Sequence, residues 1–324
     1  MVVRKRSFIK KVLFWFLIAV VVIFVAYPFV YMVSVSFRYD SDAFDPGLIP
    51  DNPTITQYAQ LLGLQESIRQ QMSQEEQQLM KLLESLPEDQ RELVFKNIQA
   101  QRKRESFPFL RWFGNSLILA GASALTSVLI GIFGAYSFSR IWFPGRNLIQ
   151  RGVLLVYLVG GVILSVPIYD IFVRLGLTNS SGASLFSLYI IYVIQTLPVS
   201  LYMLGNYFRT IPESIEEAAL IDGSTRMGTI MKIIIPLSMP AIITVFIYAF
   251  MIGWNEYLFS SIFIRPFPGA YTLSVGLREV FFSEHAVWAK MMAASVLTAV
   301  PVIVLFMSVE KYLTAGLTAG GVKE

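Results

Sequence analysis

Six apolar runs, each about 20 residues long, constrain this chain more than any other feature of its sequence. A helix of that length crosses a hydrocarbon core of roughly 30 Å. With 55% of its 324 residues hydrophobic and 15% charged, the chain carries more apolar surface than a water-soluble domain can bury. The sequence therefore predicts an all-α integral membrane protein. The six predicted transmembrane helices lie near residues 12–37, 113–138, 153–172, 185–204, 237–262 and 287–309.

The distribution of basic residues predicts how the chain is oriented in the bilayer. Five basic residues occupy the first 11 positions, and Lys and Arg are enriched on the cytoplasmic side of membrane proteins. The first apolar run is long and lacks a small-residue cleavage site, so it is predicted to be an uncleaved helix. An even number of spans then places both termini, the loop 139–146 and the polar segment after Leu204 in the cytoplasm. Because the basic residues are dispersed around the apolar runs, we expect contact with lipid and no binding of nucleic acid.

The residue types present exclude several kinds of chemistry. The chain has no cysteine and a single histidine, His285, which excludes disulfides, thiolate chemistry and metal sites built from several histidines. It also contains no Walker-type phosphate-binding loop. We therefore expect no enzyme activity, cofactor or metal in this chain, and any ATP hydrolysis to occur in another subunit.

A long hydrophilic region, residues 38–112, separates the first two runs and is predicted to lie outside the cytoplasm. Within it, apolar residues recur at helical spacing between Ile68 and Ile98, which indicates a helical hairpin across an insertion at 65–104. Two interpretations remain open at this stage. The hairpin is either a spacer packed on the protein's own surface or a docking surface.

A polar block, residues 207–236, interrupts the apolar pattern after the fourth run. Pro212 suits the first turn of a helix, and the glutamates at 213, 216 and 217 favour its N-terminal dipole. Gly223 tolerates the left-handed conformation that ends many helices, after which Ser224 or Thr225 is suited to begin another. The block therefore predicts a short helix, a sharp turn and a second helix, an element suited to a groove on a partner protein.

The polar block resembles the EAA motif of membrane permease subunits of binding-protein-dependent ABC importers. The family pattern is Glu-Ala-Ala, three residues, Gly, nine residues, then Ile-x-Leu-Pro. Ile235 replaces the usual Leu, which keeps the apolar character. The segments VPIYDIFVRLGLTNS, GWNEYLF and GLTAGGVKE extend the likeness from about residue 115 onward, towards the MalG-type subunits of carbohydrate importers. The motif positions are occupied by Glu217, Ala218, Ala219, Gly223, Ile233 and Pro236.

The resemblance implies a fold, a location and a set of partners. It implies the type I ABC importer permease fold with six transmembrane helices, in a bacterial or archaeal inner membrane. It also implies a second, MalF-type permease, a MalK-type ATPase dimer that binds ATP and Mg²⁺, and an external sugar-binding protein. The expected substrate is maltose, maltodextrin or a related oligosaccharide. The chain then divides into residues 1–37 (N-terminus and first helix), 38–112 (outer region), 113–310 (core permease) and 311–324 (tail).

In that family the EAA loop is the coupling helix, which sits in a cleft of the ATPase. The resemblance therefore assigns Glu216, Glu217 and Asp222 to contacts with the ATPase, and Gly223 to the turn. The full set of predicted coupling residues is Glu213, Glu216, Glu217, Ala218, Ala219, Asp222 and Gly223.

Three further groups are candidate functional residues. In the fifth run, an ionisable group at membrane depth must face protein or water. That group is Glu256, which together with its neighbours Asn255 and Tyr257 either contacts the sugar or joins helices by hydrogen bonds. In the third run, Pro167 breaks the helical hydrogen-bond pattern, and nearby Tyr169 either lines a polar path or pairs with the freed backbone groups. The tail glycines either reach the ATPase interface or form a frayed end, and they are Gly316, Gly320 and Gly321.

Other functions remain as alternatives. A permease for a different solute fits the same pattern. A secondary transporter would place several coupling charges within its spans, whereas Glu256 is essentially the only deep charge here. A membrane scaffold would require the polar block to bind something other than an ATPase.

Overall fold

The computed structural model describes residues 8–64, 108–158, 161–281 and 288–319. All regular elements in these ranges are helical. The predicted insertion at 65–104, His285, Gly320, Gly321 and residues 1–7 lie outside the described residues. The α-helices in chain order are α1 (Phe8–Ser36), α2 (Thr56–Leu61), α3 (Phe109–Arg140), α4 (Arg146–Leu158), α5 (Gly161–Arg174), α6 (Ser181–Phe208), α7 (Glu213–Ile221), α8 (Arg226–Thr229), α9 (Ile235–Leu237), α10 (Met239–Asn255), α11 (Leu258–Phe263), α12 (Leu273–Phe281) and α13 (Trp288–Ala319).

Five helical segments of the described chain are long and apolar enough to cross a membrane. They coincide with five of the six predicted spans. In the first segment, none of the residues in the most apolar stretch is buried against the rest of the chain, as expected for a helix that faces lipid. The segments are Lys10–Ser36, Phe109–Arg140, Ser181–Phe208, Met239–Phe263 and Trp288–Glu310.

The third predicted span, 153–172, is helical throughout its described residues. It is described as two helices of 13 and 14 residues, α4 and α5, which lie on either side of residues 159–160, and those two residues are outside the described ranges. Each of these two helices is too short to cross a membrane alone, and the six-helix prediction for this region stays a prediction.

The chain divides into two compact units. The first comprises Met1–Leu110 and Val280–Ala299. Here Arg38, at the end of α1, is 2% exposed and donates hydrogen bonds to the carbonyls of Asp45 (2.6 Å) and Gly47. One carboxylate oxygen of Asp40 accepts a hydrogen bond from the backbone N–H of Ala289 at 3.1 Å, which satisfies a free donor at the start of α13. The bond of Asp40 joins the segment just after α1 to the beginning of the last helix.

The second unit comprises Arg111–Glu279 and Val300–Glu324, and its described core is built on α3, α6 and α10. Small residues allow the backbones to approach closely. A Cβ on Gly253 would lie 3.1 Å from the Cα of Ala120, and one on Gly131 would lie 3.1 Å from the Cβ of Ser200. Ser127 and Ser200 share a hydrogen bond of 3.0 Å between α3 and α6.

Helix α3 connects the two ends of this unit. It has 32 residues and is therefore about 48 Å long, enough to span the bilayer with its headgroups. Near its start, Trp112 Nε1 donates to the carbonyl of Pro268 (3.1 Å) and Asn115 Nδ2 donates to that of Tyr271 (3.0 Å). Its last residue, Arg140, contacts the polar block. The segment before α12 and the polar block therefore lie at opposite ends of α3.

Candidate functional site

The polar block forms the predicted helix, turn and helix. Its first helix, α7, begins at Glu213 after Pro212, which has an extended backbone. The helix ends in a Schellman motif, in which Gly223 N–H donates to the Leu220 carbonyl at 3.1 Å and Ser224 N–H donates to the Ala219 carbonyl at 2.9 Å. Gly223 has φ of +85°, so it occupies the left-handed region that the prediction required.

The second arm of the block leads directly into a membrane helix. Thr225 Oγ1 accepts a hydrogen bond from Gly228 N–H at 3.1 Å and so begins α8. A π-helical turn, Ile230–Ile234, follows, and Ile235 N–H donates to the Ile230 carbonyl. Pro236 lacks an N–H, which removes a donor from the regular pattern of α-helical hydrogen bonds just after this turn. Ile230 and Ile234 are buried in the core of the unit, so apolar packing holds this arm.

The first arm is held differently, through a buried ion pair. Arg140 Nε lies 2.6 Å from Glu216 Oε1, and the two side chains are only 8% and 9% exposed. The Tyr136 hydroxyl donates to Glu216 Oε2 at 3.0 Å, so both carboxylate oxygens of Glu216 are occupied. Arg140 Nη1 also lies 3.3 Å from Glu213 Oε1 on the exposed side of α7.

The same guanidinium also binds the end of α6. Arg140 Nη2 donates to the carbonyls of Phe208 (2.8 Å) and Ile211 (2.5 Å). Carbonyls at a helix C-terminus lack partners within the helix, and a cation there also favours the negative end of the helix dipole. We refer to Arg140, Tyr136, Glu213, Glu216 and these two carbonyls as the Arg140 cluster. It joins α3, α6 and α7 through one side chain.

The predicted coupling residues divide into buried and exposed groups. Glu216 is 7% exposed and Ala219 is 9% exposed. In this conformation Glu216 is therefore a member of an internal cluster and is not available to an outside partner, contrary to the contact role predicted for it. The exposed members are Glu213, Glu217, Ala218, Asp222 and Gly223.

Sequence reasoning missed two features of this site. Arg140 belongs to the loop 139–146, which was used only to predict the orientation of the chain, and its role depends on contacts with residues 68 to 76 positions away. The exposed apolar residues of the block were also passed over. Ile221 is 85% exposed and Met227 is 56% exposed. Exposed apolar side chains among charged neighbours are typical of a protein interface, and their position in an otherwise polar segment was a usable signal.

Comparison with known proteins now identifies the family. Residues 127–318, more than half of the chain, match the family described as binding-protein-dependent transport system inner membrane component. The chain belongs to this family.

Relatives of this permease support the assignment over most of its length. It is 43% identical to the inner membrane ABC transporter permease protein YcjP of Escherichia coli K12 over 67% of this chain and 76% of that protein. It is 27% identical to the maltose/maltodextrin transport system permease protein MalG of Vibrio parahaemolyticus over 99% of this chain and 97% of that protein. The MalG protein of E. coli K12 is 33% identical over 67% of this chain and 73% of its own length.

The fold of the permease also matches a solved structure. A bacterial ABC transporter involved in the import of the acidic polysaccharide alginate contains a chain that superimposes with a TM-score of 0.70 at 19% identity. The match covers 96% of the permease and 99% of that chain. The permease therefore has the predicted type I ABC importer permease fold and is a multi-pass, all-α membrane protein.

At membrane depth, Glu256 of the permease is bound entirely within the chain. It is 8% exposed and lies where α10 ends and α11 begins. Its Oε1 accepts from Phe259 N–H (2.7 Å), and its Oε2 accepts from Ser260 N–H (3.0 Å) and the Tyr192 hydroxyl (3.1 Å). The carboxylate thus caps α11 and joins it to α6. Of the two interpretations of Glu256, the geometry favours the one that joins helices.

The neighbours of Glu256 are more accessible. Asn255 is exposed, and its Nδ2 donates to the Met251 carbonyl at 2.9 Å. Tyr257 is half-buried, and the guanidinium carbon of Arg278 lies 4.5 Å from the centre of its ring. These side chains present an amide, a phenol and a cation at the break between α10 and α11. Such groups suit hydrogen bonding to a polar substrate.

The remaining candidates occupy different surroundings. Pro167 is exposed within α5, and Tyr169 packs edge-on against Phe263 with ring centres 5.1 Å apart. Tyr169 therefore helps to hold α5 against α11. Gly316 lies within α13, which continues to Ala319, whereas the other two tail candidates fall outside the described residues.

Proposed function

We propose that this permease forms one half of the translocation pathway of an ATP-driven sugar importer, and that its polar block couples an ATPase to the membrane helices. The observation that carries the proposal is the two-sided arrangement of α7. One side is joined to α3 and α6 by the Arg140 cluster. The other side exposes Glu217, Ile221 and Asp222 to a partner.

The proposed assembly contains a second, MalF-type permease, a MalK-type ATPase dimer and an extracytoplasmic sugar-binding protein. ATP and Mg²⁺ bind to the ATPase, because the permease sequence has no phosphate-binding loop. The family description supports dependence on a binding protein. In this assembly residues 113–310 are the core permease domain, and the helical insertion 65–104 and the tail 311–324 are additions to it.

The proposed substrate is an oligosaccharide of the maltose or maltodextrin type. The support is the likeness to proteins named as maltose/maltodextrin permeases, one of which aligns over 99% of this chain. We propose that Asn255 and Tyr257 line the path, while Glu256 holds the helices that form it. Pro167 and Tyr169 belong to the same wall in this proposal, and the tail glycines belong to the ATPase interface.

The proposed orientation places the Arg140 end of α3 and both termini in the cytoplasm. The absence of cysteine makes this testable, because a single introduced cysteine is the only labelling site. We expect Ser41→Cys to react with a membrane-impermeant maleimide in intact cells or spheroplasts. Ile221→Cys, at an 85% exposed position, should react only after the membrane is opened. The reverse pattern would contradict the orientation.

Purification of the native complex tests the function. The tagged permease is solubilised gently, and its partners are identified by mass spectrometry. We expect a second permease and an ATPase, and ATP-dependent uptake of radiolabelled maltodextrin after reconstitution with the binding protein. Uptake of another solute by the same complex would correct the substrate. Reproducible absence of an ATPase from an intact complex would refute the importer.

A substitution on the exposed face of α7 tests the docking surface. Ile221→Glu places a charge in the proposed interface and should reduce the ATPase recovered with the permease. Ile55→Glu is the matched control, because Ile55 is 70% exposed and belongs to the region predicted to lie on the other side of the membrane. Equal ATPase recovery from the two variants would contradict docking through α7.

A further inference from the structure

The Arg140 cluster differs from the other contacts of the polar block in being directional. The guanidinium uses Nε for Glu216, Nη1 for Glu213, and Nη2 for the carbonyls of Phe208, the last residue of α6, and Ile211, which follows it. Nε and Nη1 thus bind two different carboxylates of α7, and Nη2 binds backbone carbonyls at and just after the end of α6. Because a guanidinium is planar and rigid, these bonds fix the position of α7 relative to α3 and α6 in angle as well as in distance.

The second arm of the block has a different kind of attachment. Ile230 and Ile234 pack against Val128, Leu204 and other apolar side chains of the core. Apolar contacts are non-directional, so they keep most of their energy when one surface slides over another. Between the two arms stands Gly223, where an added Cβ would meet no atom within 4 Å. A displacement of α7 can therefore be absorbed at the turn and the second arm, but not at the Arg140 cluster.

We propose that Arg140 is the positioning residue that transmits displacement of α7 to the membrane helices α3 and α6. This inference rests on the proposed coupling function and specifies its route. Glu216 is the acceptor on α7, and Tyr136 holds the second oxygen of that carboxylate so that the carboxylate cannot rotate away from Arg140. Docking of an ATPase against the exposed face then moves α7 together with the ends of α3 and α6.

The side chain required by this route is arginine, and lysine cannot replace it. A lysine ammonium keeps the charge, but it is a compact donor without the planar fork that reaches three elements at once. Arg140→Lys should therefore still pair with Glu216 and lose the bonds to the carbonyls of Phe208 and Ile211. The matched control is Arg146→Lys, because Arg146 lies at the same end of the membrane region and its side chain donates to the carbonyl of Ile141, five residues away, at 3.3 Å.

The experiment measures coupling in the full complex in proteoliposomes. For each variant we would determine sugar uptake, ATP hydrolysis stimulated by the binding protein, recovery of the ATPase and the midpoint of thermal unfolding. We expect Arg140→Lys to retain the ATPase and its hydrolysis within about twofold of wild type. Its sugar uptake per ATP hydrolysed should fall by about tenfold, while Arg146→Lys should keep the wild-type ratio.

A second variant protects the test against misfolding. Glu216→Gln keeps a carbonyl oxygen as acceptor and removes the charge, so it should lower uptake per ATP in the same direction by a smaller factor. Combined with Arg140→Lys it should lower the ratio by less than the product of the two single effects, because both changes act on one bond network.

The outcomes separate the two proposals. Wild-type uptake per ATP in Arg140→Lys and Glu216→Gln would overturn the role of Arg140 while leaving the importer intact. A parallel loss of uptake, hydrolysis and ATPase recovery would also overturn it, because Arg140 would then serve assembly and not transmission. Absence of ATP-driven uptake in the wild-type complex would refute the proposed function itself.

Discussion

Replacing Gly223 tests whether the turn between α7 and α8 takes part in transport. The residue has φ of +85°, and a Cβ added there would meet no atom within 4 Å. Steric clash with neighbours is therefore absent, and the cost of Gly223→Ala is the intrinsic penalty of a left-handed conformation, about 1–2 kcal/mol. Since 1.4 kcal/mol corresponds to a tenfold change, the native turn should lose roughly five- to thirtyfold in relative population.

Two further substitutions at this position predict a ranking. Gly223→Asn should cost less than Gly223→Ala, because asparagine visits the left-handed region more readily. Gly223→Pro should cost most, since proline fixes φ near −65° and removes the N–H that donates to the Leu220 carbonyl at 3.1 Å. Loss of that bond adds about 0.5–1.5 kcal/mol to the backbone penalty. We expect transport to decrease in the order Gly, Asn, Ala, Pro.

Gly63 is the matched control for this series. It ends α2 in the same Schellman motif, with Gly63 N–H donating to the Gln60 carbonyl at 3.2 Å and Leu64 N–H donating to the Ala59 carbonyl at 2.8 Å. It has φ of +69° and no atom within 4 Å of an added Cβ. Gly63→Ala should therefore carry the same backbone penalty outside the polar block.

The assay is uptake of radiolabelled maltodextrin by the reconstituted complex, together with ATP hydrolysis and recovery of the ATPase. We expect the Gly223 variants to insert into the membrane normally and to lose uptake in the predicted order, whereas Gly63→Ala should transport like wild type. Normal transport by Gly223→Pro would refute the coupling role of the turn. An asparagine variant less active than the alanine variant would refute the argument from φ.

Three other predictions follow from the structure and the topology. Glu256→Ala leaves at least two buried N–H donors, those of Phe259 and Ser260, without their acceptor, at a cost of about 1–3 kcal/mol each. The purified permease should therefore unfold at a lower temperature than wild type, and Glu256→Gln should lie in between. An unchanged unfolding midpoint would contradict the capping role of Glu256. Asn255→Ala and Tyr257→Phe each remove one polar group from the proposed path. The sugar concentration for half-maximal uptake should therefore rise about two- to tenfold, while the thermal stability of the permease stays unchanged. If that sugar concentration is unchanged in both variants, neither residue lines the path. Deletion of residues 65–104 should leave ATPase recovery intact, because that insertion is predicted to lie across the membrane from the ATPase; selective loss of ATPase binding in a folded variant would contradict the topology.

Local chemistry explains why the polar block was predictable in outline. The start of α7 after Pro212, the left-handed Gly223 and the N-cap at Thr225 are set by residues within a few positions of one another. Five of the six spans were predictable for a related reason, since a run of about 20 apolar residues has no stable alternative to a membrane helix.

The roles of individual charged residues were not predictable in this way. Glu216 and Glu217 are adjacent and chemically identical, and both were predicted to contact an ATPase. In the folded chain Glu216 is 7% exposed and paired with Arg140, whereas Glu217 is exposed. The difference arises from which side of α7 faces α3, and that depends on contacts 76 residues apart in sequence.

The sequence by itself thus determined the membrane class, the family and the local form of the polar block, because apolar run length, helix termini and a motif of fixed spacing act over short distances. The tertiary structure alone decided that Arg140 joins three helices, that Glu256 caps a helix and reaches Tyr192, and that α7 presents Ile221 outward. A side chain's role in these cases is set by the partners that packing brings within about 3 Å of its polar atoms, and hydrogen bonds and ion pairs weaken steeply beyond that distance.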